Sequence, residues 1–318
     1  MTLRGLGTAL WDEGRFAEGK ELLERALGIF RELDDGAGAA GVLSTLAASY
    51  RGDLEQVRRW SDEALAIYRK LGDRHGEATC LAQLAGLVIE MGRPEEGEAL
   101  VLASQEILRD VGDHSMIAFG YEIQAFLARQ ASTLDRSLSY LEKALGIHQF
   151  TGDRRMEGRL RGLVGFVRWD RGDRRGGSES FDQGLAMLRE ARELSVQADF
   201  LRIRSSYERL LTGDLPSAER GVARAEEIMR EIGDLVGLAL CRCERASIAL
   251  ASGDVAACRE HLDGARAASA DAALGTAGTL RTRIVEVEQA LGAIERGDGS
   301  LLFRGDLKSR VPPALLDA

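Results

Sequence analysis

Residues Glu63–Leu100 read EALAIYRKLGDRHGEATCLAQLAGLVIEMGRPEEGEAL, and variants of this stretch recur along nearly the whole chain. A run of helix-favouring residues stops at Leu71-Gly72-Asp73, and a second stops at Met91-Gly92. Glycine behind such a run ends a helix, and an aspartate behind the glycine caps the next one. The first kind of break returns as Leu33-Asp34-Asp35, Val111-Gly112-Asp113, Thr151-Gly152-Asp153 and Ile232-Gly233-Asp234, with Glu193-Leu194-Ser195 standing in its place once. The central residues of these breaks lie 38, 40, 40, 42 and 39 positions apart. The second kind falls between them at Gly14, Gly52, Gly92, Gly172, Gly213, Gly253 and Gly297, with Ala131-Ser132-Thr133 replacing one glycine. A period near 40 with two breaks per period predicts a stacked array of small repeated units.

Between the breaks the periodicity is helical. Val57, Trp60, Ala64, Leu65, Ile67, Tyr68 and Leu71 fall three and four apart, as do Ala78, Leu81, Ala82, Leu84, Ala85 and Val88, so each set forms one stripe rather than a strand-like alternation. The four prolines fall in no helix beyond its first turn. The unit is helix, turn, helix, turn, and the fold class is all-α.

Composition bounds the function. A net charge of -9 and no long basic run argue against direct nucleic-acid binding, which needs a basic face. No stretch reads as a signal peptide or a membrane span, and Cys80, Cys241, Cys243 and Cys258 sit inside helical patterns, so a cytoplasmic protein with reduced thiols is expected. Cys241 and Cys243 are two apart and point to different helix faces, and the four histidines have no partner at ligand spacing. Neither a metal site, a cofactor site nor a catalytic constellation is expected. The acidic residues read as caps and solvated faces.

Leu6, Gly7, Leu10, Gly14, Phe16, Gly19, Leu23 and Ala26 fall at intervals that resemble the tetratricopeptide repeat. Its closing small residue returns as Ala26, Ala64, Ser104, Ala144, Gly184, Ala225 and Ala265, spaced 38, 40, 40, 40, 41 and 40. A small side chain at a helix crossing lets two backbones approach. The resemblance implies a right-handed superhelical solenoid of about seven repeats. They are expected near 1–35, 36–73, 74–113, 114–153, 154–195, 196–234 and 235–271, with a capping helix at 272–296 completing a solenoid over 1–297 and a C-terminal tail at 298–318. The period exceeds the 34 residues of the standard repeat. This long form, with Leu71-Gly72-Asp73-Arg74-His75-Gly76-Glu77-Ala78 leading into the next helix, is similar to the repeat region of bacterial signal-transduction ATPases with numerous domains, such as LuxR-type and SARP-type activators. The nucleotide-binding loop of those regulators is not found around Lys20, Lys70, Lys143 or Lys308. The chain then reads as a sensor segment of such a regulator or as a free-standing adaptor.

In tetratricopeptide arrays the first helix of each pair lines the concave face. Carrying that phase over gives a candidate groove of Trp11, Glu122, Phe126, Arg129, Arg161, Arg168, Trp169 and Tyr207. Arginine and aromatic side chains anchor interfaces and grip carboxylates. The expected function is non-catalytic binding of a protein or peptide segment, or of a small effector, within a signalling or transcription-regulatory system. The alternatives are a self-associating scaffold, with homo-oligomers left open, and an enzyme with a repeat-built pocket.

Overall fold

A computed structural model describes residues 3–12, 16–49, 54–270 and 278–296. Fifteen α-helices follow one another, and among the described residues there is no strand. In chain order they are α1 (Leu3–Asp12), α2 (Phe16–Glu32), α3 (Gly36–Ser49), α4 (Leu54–Leu71), α5 (Arg74–Glu90), α6 (Pro94–Val111), α7 (His114–Gln130) and α8 (Leu134–Thr151). After them come α9 (Arg154–Asp170), α10 (Arg174–Glu190), α11 (Leu194–Tyr207), a π-helical turn (Glu208–Thr212), α12 (Leu215–Ile232), α13 (Leu235–Ala251), α14 (Val255–Ala270) and α15 (Gly278–Glu295). Within each unit helices pack chiefly on their chain neighbours, α9 on α10 and α5 on α6 most of all, as in a tetratricopeptide-like helical solenoid. The chain resolves into two compact units, Met1–Leu127 and Ala128–Ala318, with the division inside α7.

The turns explain the period. Positive backbone φ occurs at Asp34 and, from residue 72 on, at Gly72, Gly92, Gly112, Ser132, Gly152, Gly172, Arg192, Gly213, Gly233 and Gly253, and the steps that follow are counted from Gly72. Every step between them is 20 residues except the one from Arg192 to Gly213, which is 21. The break expected at Glu193-Leu194-Ser195 is therefore corrected to Ala191-Arg192-Glu193, because Arg192, at φ 59°, takes the left-handed position held by Gly152 one repeat earlier. Downstream of the turns, Asp35, Asp73, Asp113, Asp153, Asp173, Asp214, Asp234 and Asp254 each accept a hydrogen bond from the amide three residues on, at 2.8 to 3.0 Å. These are N-caps of the ordinary kind, and they satisfy amides that a helix start leaves orphaned. Gly14, Gly52, Gly297 and the expected tail at 298–318 lie outside the described residues, and the capping helix expected at 272–296 is described as α15 from Gly278.

In the N-terminal unit the core is chiefly aliphatic, built from residues such as Leu23, Leu43, Leu46, Leu84 and Leu108, with Trp60 among them. In the C-terminal unit an aromatic cluster takes over. Phe166 stacks on Tyr207 at 5.5 Å between ring centroids and meets Trp169, Phe181 and Phe200 at 5.9, 5.3 and 5.3 Å. Room for these rings comes from glycines where α9 and α10 cross. A Cβ on Gly165 would lie 2.8 Å from the Gly177 carbonyl oxygen, and one on Gly184 would lie 2.6 Å from that of Gly158. Ala26, Ala64, Ser104, Ala144, Ala225 and Ala265 are buried at the corresponding position of the other second helices.

Candidate functional site

Burial separates the two helices of each pair. Among the described residues, every buried arginine and glutamate (Glu122, Arg129, Glu157, Arg159, Arg202, Arg209, Glu244 and Arg283) sits on an odd-numbered helix or on the π-turn that ends α11. Buried polar groups on the even-numbered helices are serines, Gln105 and His148. The reading of the acidic residues as solvated is thereby corrected for Glu122, Glu157 and Glu244, which are buried; Arg154 and Arg161 pair with Glu157, and Ser206, Arg209 and Arg283 with Glu244.

Three side chains from three odd helices close a ring. Arg129 on α7 donates from Nε to Asp170 Oδ2 at 2.6 Å and from Nη2 to the Tyr207 hydroxyl at 2.7 Å. Tyr207 on α11 donates in turn to Asp170 Oδ1 at 2.9 Å. The side chains of Arg129 and Asp170 are 5% and 4% exposed. Burial pushes the Tyr207 phenol well above its ordinary value; the Arg129 cation pulls against that shift, and the Asp170 carboxylate adds to it. Charge-assisted bonds of this kind are short and strong, and removing one member would leave a buried charge unmatched.

A second ring surrounds Glu244 on α13. Its carboxylate accepts from Ser206 Oγ at 2.6 Å, Arg209 Nε at 2.9 Å and Arg283 Nη2 at 3.1 Å, which ties α11, the π-turn and α15 to one acid. Arg209 belongs to the turn that absorbs the extra residue of the 21-residue step. A π-turn is the usual way for a helix to take in one more residue, and such turns cluster at functional sites.

The expected groove residues take several positions. Arg129 and Tyr207 come together in the first ring, and Trp169 packs at a tilt against Tyr207 with centroids 5.0 Å apart. Trp169 donates from Nε1 to the Arg174 carbonyl oxygen at 3.1 Å, and Arg168 donates to Ser180 Oγ at 2.8 Å and to the Gly176 carbonyl oxygen at 3.4 Å. Both side chains therefore turn to α10 and not outward as the phase carried over from the repeat pattern had them. Arg161 pairs with the buried Glu157 at 2.5 Å. Glu122 is fully buried and Phe126 partly buried, both in the N-terminal unit, while the Trp11 side chain lies outside the described residues. Asp170, Glu157, Ser206, Arg209, Glu244 and Arg283 have no signal in the sequence, where each reads as one more polar residue on a helix.

Among the described residues no group of three or more His, Cys, Asp or Glu side chains could hold a metal ion, and no helix is long and apolar enough to cross a membrane. Burial pushes the thiols of Cys80 and Cys241 up to about 12 and those of Cys243 and Cys258 to about 11. Such thiols are inert at neutral pH.

Residues 1–70 match the family model described as tetratricopeptide repeat. No curated protein matches the chain closely enough to stand as a relative. Among solved structures, the apo form of RapI superposes with a TM-score of 0.64 at 14% identity, covering 84% of this chain and 96% of that one. Aspartyl phosphate phosphatase F from Bacillus subtilis gives 0.65 at 12% identity, with coverages of 93% and 81%. A Rap protein complexed with competence and sporulation factor gives 0.59 at 14%, with 91% and 75%. At these identities the likeness shows a shared fold.

Proposed function

We propose that this chain is a non-catalytic binding module that takes a protein or peptide segment along the first helices of its repeats. In this reading it serves as the sensor or adaptor part of a cytoplasmic bacterial signalling or transcription-regulatory system. The observation that carries the reading is the partition of charge: among the described residues the buried arginines and glutamates, together with Trp169 and Tyr207, belong to the first helices, while the buried polar groups of the second helices are serines, Gln105 and His148. A scaffold needing only its own packing has no use for charge on an inward face, since buried ion pairs contribute little net stability over apolar residues of the same size. The tetratricopeptide match over 1–70 and the fold shared with a Rap protein complexed with a signalling factor support the same reading, and the Leu-Gly-Asp repeat form supports the regulatory context.

The test is a photo-crosslinking residue placed singly at Tyr121 or Arg161 on first helices and at Glu142 or Arg189 on second helices, each exposed to lysate of the source cells. Adducts to a common partner are expected from the first pair of sites and not from the second. Adducts confined to the second helices, or to copies of the chain itself, would replace this reading with that of a scaffold.

A further inference from the structure

Asp170 is seated in a carboxylate clamp of the C-terminal unit: a guanidinium from Arg129, a phenol from Tyr207, and the ring of Trp169 packed at a tilt against that phenol. Two features make Asp170 an ill-fitted occupant. It is the last residue of α9, where the helix dipole presents its negative end and an added negative charge is disfavoured. It also stands directly before Arg171 and the left-handed Gly172, at φ 90°, where α9 ends and no further helical turn packs over its side chain. The rest of the ring is built for a carboxylate and not for this aspartate in particular.

We propose that Asp170 is an internal stand-in, and that an acidic side chain of the bound segment takes its place between Arg129 and Tyr207. This rests on the binding-module reading above and names the chemistry the module selects. The exchange is close to balanced on the clamp's side, because one carboxylate leaves for water as another leaves water. The choice then falls to the partner's remaining contacts, since a ligand shifts such an equilibrium only by its differential affinity for the two states. Asp170 competes from within the chain at a high effective concentration, so the intact protein binds isolated acidic groups weakly and gains selectivity for a segment that also fits elsewhere.

The experiment compares binding of a fluorescent, blocked peptide of alternating Glu and Gly with its Gln counterpart. The full chain, Asp170→Ala, the isosteric Asp170→Asn, and Asp170→Ala combined with Arg129→Met are each checked for folding by circular dichroism. Removing the stand-in is expected to tighten binding of the Glu peptide at least tenfold, with no gain for the Gln peptide and no gain in the double variant. Should Asp170→Ala not fold, Asp170→Asn carries the same expectation. A folded Asp170 variant that binds the Glu peptide no better than the parent chain, or binds both peptides alike, overturns the proposal and leaves the ring as a structural latch. First-helix crosslinks to a partner would then still support the binding module, so the two failures are distinguishable.

Discussion

Arg192 holds a left-handed backbone at φ 59° in a ladder whose other rungs, apart from Ser132, are glycine over residues 72 to 253. For an L residue with a Cβ that conformation costs on the order of 1 kcal/mol. Arg192→Gly should therefore raise stability by about 0.5–1 kcal/mol, the upper part of the penalty being offset by the greater freedom of glycine in the unfolded chain. Equilibrium denaturation of the variant reads this directly, and a loss of stability would mean that the arginine side chain contributes more than its backbone costs. A second residue carries a pH dependence. His148 on α8 is 2% exposed, neither ring nitrogen has a hydrogen-bond partner, and Asp153 Oδ2 stands 4.0 Å from Nδ1. Burial lowers its pKa, the Asp153 carboxylate opposes the shift, and the Arg159 and Arg155 cations reinforce it. The unfolded chain then binds the proton more readily than the folded one. Stability from this group is complete above the unfolded value of about 6.5 and falls as pH drops below it toward the lower folded value. Melting temperature should decline over that window, and His148→Leu should remove that part of the decline. A His148→Leu profile superimposable on that of the parent chain would show that the acid sensitivity lies elsewhere.

At the scale of the element, the π-turn of Glu208–Thr212 takes up the one residue by which the step from Arg192 to Gly213 exceeds the others. Deleting Leu211 should convert it to an α-helical turn and restore the 20-residue step. The array should still fold, with helical content retained by circular dichroism. Arg209 would be rotated away from Glu244, so the deletion is expected to cost about 3 kcal/mol, the range for breaking a buried pair. Full retention of stability would mean that the turn carries no strain and that the Glu244 ring re-forms around Ser206 and Arg283. The elements are legible in the sequence because glycine, aspartate and helical stripes mark them locally. The turn at Arg192 lies two residues from its expected place for the same reason: without a glycine, the left-handed position leaves no trace in the sequence. The candidate site is less legible. Arg129 and Tyr207 stand out as residue types in the right phase, but their binding to Asp170 joins helices 41 and 37 residues apart. Nothing local distinguishes that aspartate from a cap, or shows that Arg168 and Trp169 turn to α10 instead of outward.

Within each unit contacts run chiefly between chain neighbours, and the aliphatic core of Met1–Leu127 has as its counterpart in Ala128–Ala318 an aromatic cluster flanked by further aliphatic ones. Arrays of this kind are stabilised by a sum of neighbour terms and do not melt as one block. Leu43→Ala, which opens a cavity in the first unit, and Phe166→Ala, which removes the hub of the aromatic cluster in the second, should each cost about 3–5 kcal/mol. They should lower the midpoints of different steps in a denaturation profile followed by hydrogen exchange. Equal displacement of a single shared transition by both would show that the units unfold together. The ladder of left-handed residues carries a last consequence, for how such a chain can change length. Its tile is one helix and one turn, yet among the described residues buried arginine and glutamate belong to odd tiles alone. Parity is therefore conserved: a duplication or excision of two tiles keeps like helices in like places, whereas one of a single tile sets a helix without buried charge where the Arg129 or Glu244 ring needs one. Growth of this protein is confined to even numbers.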